Sequence, residues 1–137
     1  MFDEKFEWRK YFELASSFND ETDLAKLRTG IGRFYYSPFL ELRDYILENE
    51  IFLNSFSKNI MQSKSGRVHQ ETRLTFEKHP LLNQKNNGKK IAHRLNILRK
   101  YRNMADYDSN KPKNTKRAYE RCHLKAKGIF KLLDELN

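Results

Sequence analysis

The sequence predicts an all-α protein, an antiparallel bundle of four or five helices in one domain over residues 1–137. Two observations predict it: apolar residues recur at helical spacing through most of the chain, and no segment alternates as a strand would. The clearest case is residues 91–108, where Ile91, Leu95, Leu98, Arg102 and Ala105 fall at offsets of 0, 4, 7, 11 and 14. At about 3.6 residues per turn these share one helix face. Arg102 therefore stands in an apolar stripe.

The other elements follow in order. Residues 4–18 place Phe6, Tyr11, Leu14, Ala15 and Phe18 between charges, an amphipathic helix that Asn19 and Asp20 break. Trp8 either covers one end of the core or faces a partner. Residues 22–48 form the long helix, with capping oxygens at Asp20 and Thr22. It is apolar on two sides, through Leu24, Leu27, Ile31, Leu42 and Tyr45 and through Arg33, Tyr36, Leu40 and Leu47, so it belongs at the centre. Pro38 lacks the backbone donor and should kink it near residues 34–38. Gly30 and Gly32 permit close approach from a neighbour. Arg33, set among aromatics, serves either a structural ion pair or a functional site.

Residues 51–61 either continue that helix or fold back as a short one. The polar residues 62–67 read as a loop, residues 68–78 as a helix ended by Pro80, and residues 83–90 as a surface turn rich in Asn and Gly. A basic loop, SNKPKNTKR, separates the helix at 91–107 from the last one, 115–136. There Ala118, Cys122, Ala126, Ile129, Leu133 and Leu136 make one stripe and Lys and Arg the other.

Charge is distributed unevenly. Residues 1–57 hold seven Lys/Arg against eleven Asp/Glu, a net of −4, while residues 58–137 hold twenty against seven, a net of +13. The basic half is either a nucleic-acid surface with salt-sensitive affinity or a solvated face. A single cysteine, Cys122, excludes an internal disulfide and a Cys-rich zinc site. With no apolar run of signal-peptide or membrane-span type, the expectation is a cytoplasmic protein with no membrane partner. His69, His79, His93 and His123 are scattered, so no metal site is expected, and nothing calls for a cofactor.

What remains for chemistry is Arg99, Arg102, Asn103, Asp106 and Tyr107. Arg102 and Asp106 lie four apart and can touch, as can Arg99 and Asn103. Either Arg102 and Asp106 form an ion pair that locks the bundle, or Arg102 is poised for a phosphate with Asn103 and Tyr107 beside it. A guanidinium cannot lose its proton to escape burial, so one aimed inward needs an anion or a wet pocket.

Two segments carry a resemblance. LRTGIGRFYYSPFLELRDYI, residues 27–46, with its Arg33-Phe34-Tyr35-Tyr36, looks like the long helix of HEPN domains of the small bacterial and archaeal type. VHQETRLTF followed by ILRKYRNMADYD resembles that family's second half, where an arginine precedes Ala-Asp-Tyr. The resemblance spans roughly residues 24–130. It implies a helical homodimer that binds RNA, with a metal-independent endoribonuclease activity in cleaving members, within toxin-antitoxin or antiviral defence modules. A nucleotidyltransferase or another defence protein is the implied partner, and the alternative is a non-catalytic module that pairs with it.

On this resemblance Arg102 begins the catalytic motif, with Asn103, Asp106 and Tyr107 around it. Arg33, Arg99, Lys100 and His69 are the expected nucleic-acid contacts. Cleaving members place a histidine five to seven positions after the arginine, where this chain has Tyr107, Asp108 and Ser109. His69 is either brought in from the preceding helix or is a hydrogen-bonded histidine at a helix start. Tyr107 also resembles, in position, tyrosines that a partner nucleotidyltransferase modifies. RNA cleavage without metal needs a base and an acid as well as a cation, and Arg102 supplies only the cation.

Overall fold

The computed structural model describes residues 5–63 and 65–136. Among these, the chain forms six α-helices and one short 3₁₀ turn, with no strand. They are α1 (Arg9–Ser16), α2 (Leu24–Glu48), α3 (Ser55–Gln62), α4 (Arg67–Lys78), α5 (Asn87–Tyr107) and α6 (Thr115–Asp134). The all-α bundle expected from periodicity is the fold observed. Residues 51–61 resolve the open choice, because the chain leaves α2 and starts a separate helix at Ser55.

α2 is the central element, packing against all five other helices. Its two apolar faces explain why: Leu27, Ile31, Phe34, Tyr35, Phe39, Leu42 and Ile46 are all buried. The helix continues through Pro38 as one element. Its N-cap is Asp23, whose carboxylate accepts from the Ala25 amide at 2.8 Å, rather than Asp20 or Thr22. Any of the three supplies an oxygen, but only Asp23 directly precedes the first helical residue.

Directions follow from contacts that join distant residues. Arg28 reaches the end of α5 at Ala105, and Gly32 lies against Arg102 and Asp106, so α2 and α5 run antiparallel. Asn87 at the start of α5 bonds the Leu132 carbonyl near the end of α6, while Arg121 meets Tyr101, so that pair is antiparallel too. In α1, Arg9 grips Glu41 with three hydrogen bonds of 2.7 to 3.1 Å and Asp134 with two more. Trp8 donates its indole N–H to Asp44 at 2.7 Å, which places it over the acidic end of α2.

One expectation is corrected. Residues 83–90 are not wholly a surface turn: Asn87 and Gly88 are buried and begin α5. A Cβ at position 88 would lie 2.1 Å from the Phe76 carbonyl oxygen, so only glycine lets α5 seat this closely on the end of α4. The stripe of Ile91, Leu95, Leu98, Arg102 and Ala105 is buried throughout, as its spacing requires.

Candidate functional site

α2, α4 and α5 meet around Arg102, which is only 7% exposed. Its guanidinium carbon lies 5.5 Å from the Tyr35 ring centre, 5.2 Å from Tyr36 and 5.9 Å from Tyr107. Three aromatic faces thus replace much of its hydration shell, and each favours the cation. Polar partners are sparse. Nη1 stands 3.4 Å from the Tyr107 hydroxyl and 3.9 Å from an Asp106 oxygen, while Nε is buried with no hydrogen-bond partner among the described residues. At 3.9 Å Asp106 is an electrostatic neighbour rather than a hydrogen-bond acceptor. It is exposed, as are Asn103 and Tyr107, the last at 78%.

His69, three residues into α4, completes the cluster. It stacks on Phe39 with ring centres 4.1 Å apart and planes 8° from parallel, and its Nδ1 is 2.6 Å from the Tyr35 hydroxyl. Burial lowers its pKa to about 4, and the positive charges of Arg99, Arg102 and Arg43 push in the same direction. Burial raises the Tyr35 phenol, against the pull of Arg99 and Arg102. Tyr35 is therefore a neutral hydroxyl and His69 a neutral ring at pH 7. Among the described residues the His69 Nδ1 is the one hydrogen-bond partner of this buried hydroxyl, and a hydroxyl that donates to it leaves the proton of neutral His69 on Nε2.

Helix geometry sorts the expected site residues. Arg99, Arg102 and Asp106 share a face of α5, and Arg99 has no carboxylate partner among the described residues. Lys100 is exposed and two residues from Arg102, about 200° around the helix, so it does not join them. Arg33 stacks on the Tyr11 ring at 4.5 Å, on the side of the bundle covered by α1. The aromatics that follow it, Tyr35 and Tyr36, are the ones that face Arg102. No hydrogen bond joins Arg99 to Asn103 among the described residues, and no group of three metal-ligating side chains gathers among them.

Arg28 was not visible as a site residue. It donates to the carbonyls of Ala105 at 2.9 Å, Met104 at 3.1 Å and Lys111 at 3.0 Å, and also to that of Asp108. The guanidinium thereby satisfies the Ala105 carbonyl, which the helix leaves unpaired, shares the Met104 carbonyl with the Asp108 amide, and meets the negative dipole end of α5. This holds Tyr107 beside Arg102. A lone arginine 77 residues from Ala105 offers no local signal of that role.

The fold and site together define a class: an all-α bundle with a buried, weakly countered arginine beside a tyrosine-bound histidine. An uncharacterized protein of Methanocaldococcus jannaschii is 34% identical to this chain over 106 residues, covering 74% of the chain and 59% of the relative. The chain thus spans less than two thirds of that relative's length. No family model matches the sequence, and no solved structure matches it. Among the described residues no helix is long and apolar enough to cross a membrane.

Proposed function

We propose that the protein binds RNA, with a backbone phosphate held by Arg102 and Arg99 in a HEPN-like homodimer of a defence or toxin-antitoxin module. The observation that carries this reading is the state of Arg102. Among the described residues it is a buried cation with an unbonded Nε and no carboxylate within hydrogen-bonding distance, next to a second arginine without an acidic partner there. A phosphate supplies the acceptor oxygens and the charge that the protein itself withholds. The twenty basic residues of the second half extend the attraction along a polyanion.

Cleavage requires more than this arrangement offers. With its proton on Nε2 and its Nδ1 taken by Tyr35, His69 can donate a hydrogen bond to a phosphate but has no free lone pair to take a 2′-hydroxyl proton. A ribonuclease step would need the Tyr35–His69 bond to open first. The alternative, a module whose acidic first half receives a basic partner, is served less well. In that half Glu41, Asp44 and Glu48 are already engaged by Arg9, Trp8 and Lys5.

The test is fluorescence anisotropy of a labelled single-stranded RNA at low salt, with Arg102→Met and Arg99→Ala against the unaltered protein. Loss of one charge-assisted contact should weaken binding by about tenfold or more. It should also lower the slope of log K against log salt by about 0.7. A folded protein that retains no RNA at low salt refutes the proposal.

A further inference from the structure

Beside the arginine site lies a groove of about 590 Å³ between α2, α3 and α4. Tyr36, Phe39 and Leu40 come from α2, Met61 from α3, and Val68 and His69 from α4. Its walls are mostly apolar, yet its rim holds Arg43 and Gln62. Tyr36 is the partition between the two spaces, since it lines the groove and also lies 5.2 Å from the Arg102 guanidinium. His69 lines the groove as well, and its Nε2–H is a hydrogen-bond donor that the Tyr35 bond leaves free.

An apolar slot with aromatic walls, a few polar groups at its edge and a cationic site across one tyrosine ring matches the parts of a nucleotide. The ring system of a base suits the first, its hydrogen-bonding edge the second, and its phosphate the third. A duplex cannot fill it, because a stacked and paired base does not reach a side pocket. A wholly apolar peptide would leave the Arg102 charge across the Tyr36 ring unanswered.

We infer that this groove receives one unstacked nucleobase of a single-stranded RNA whose neighbouring phosphate lies on Arg102 and Arg99. The inference rests on the RNA-binding function proposed above and narrows it to single strands, loops or bulges. Tyr36 and Phe39 provide the apolar wall, and the Nε2–H of His69 with the amide of Gln62 meets the base edge.

The test compares a short oligouridylate with the same ribose-phosphate strand made abasic, both by anisotropy against the unaltered protein. Base contacts of this kind should make the ordinary strand bind about tenfold tighter. Gln62→Trp, at an exposed position lining the groove, should remove that advantage. Equal affinity for the two strands overturns the inference and leaves the groove to an apolar protein segment. If Arg102→Met still weakens both strands in that case, the phosphate site survives without the base site. If instead Gln62→Trp weakens the ordinary strand while Arg102→Met changes neither, the base site survives and the phosphate site falls. Binding of neither strand removes both. The comparison of strands needs no variant, so misfolding of Gln62→Trp cannot hide the answer.

Discussion

Arg9 and Arg102 are two arginines in opposite circumstances. Arg9 sits near the surface and is saturated, with Glu41 and Asp134 bonded to its fork and the Phe130 ring 4.6 Å away. Its hydrogen bonds with those carboxylates raise its pKa further and lower that of Asp134. Arg102 is far more deeply buried, yet among the described residues its nearest carboxylate oxygen is at 3.9 Å and its Nε has no partner. A structural arginine is supplied with anions by its own fold. One that is buried without them has its desolvation offset by the aromatic rings around it.

The largest expected effect tests a third arginine that supports the contrast. Arg28 also lacks a carboxylate partner among the described residues, but four carbonyls occupy it. Arg28→Ala should cost about 2 to 3 kcal/mol in urea unfolding, because hydrogen bonds from a charged donor are the stronger ones. A loss below a few tenths would mean that water replaces the cap without penalty.

Arg102→Met and Arg9→Met should move stability in opposite directions. The first removes an under-countered buried charge and keeps the volume, so unfolding free energy should stay level or rise by about 1 kcal/mol. The second breaks a network open to solvent and should lower stability by about 1 kcal/mol, less at high salt. If Arg102→Met instead destabilises by about 3 to 5 kcal/mol, Arg102 is a lock on the bundle and the contrast collapses.

The smallest effect concerns acid. The His69 pKa lies at about 4, below the ordinary 6.5, so the unfolded chain binds its proton first as pH falls. The stabilising contribution of a neutral His69 is fully present above pH 6.5 and is lost progressively down to about 4. Solvent screening of a half-buried ring limits the loss to about 1 kcal/mol. Titration of its ring protons by NMR should give a midpoint well below 6, and an ordinary midpoint would show that neither burial nor the nearby arginines disfavour its charged form.

Much of this molecule was legible because a helix is a local structure. The offsets of Ile91, Leu95, Leu98, Arg102 and Ala105 alone place Arg102 on the buried side of α5, and the same counting puts α2 at the centre. Local counting also stopped short at two places. Asn87 and Gly88 read as a surface turn, because the Phe76 carbonyl that demands a glycine there lies on another helix. Arg33 drew attention as an arginine among aromatics, but the turn of α2 sends it to Tyr11 and sends Tyr35 and Tyr36 to the site.

By itself the sequence determined that the chain is a helical bundle, that its second half is basic and that an arginine faces inward near the end of α5. Each follows from composition or from the 3.6-residue period, which needs no knowledge of distant residues. Only the tertiary structure decided what that arginine meets. His69 finds Tyr35 across 34 residues and Arg28 finds Ala105 across 77, through contacts that packing of whole helices creates. Whether a buried charge has an anion depends on those neighbours in space, and spacing along the chain cannot reveal them.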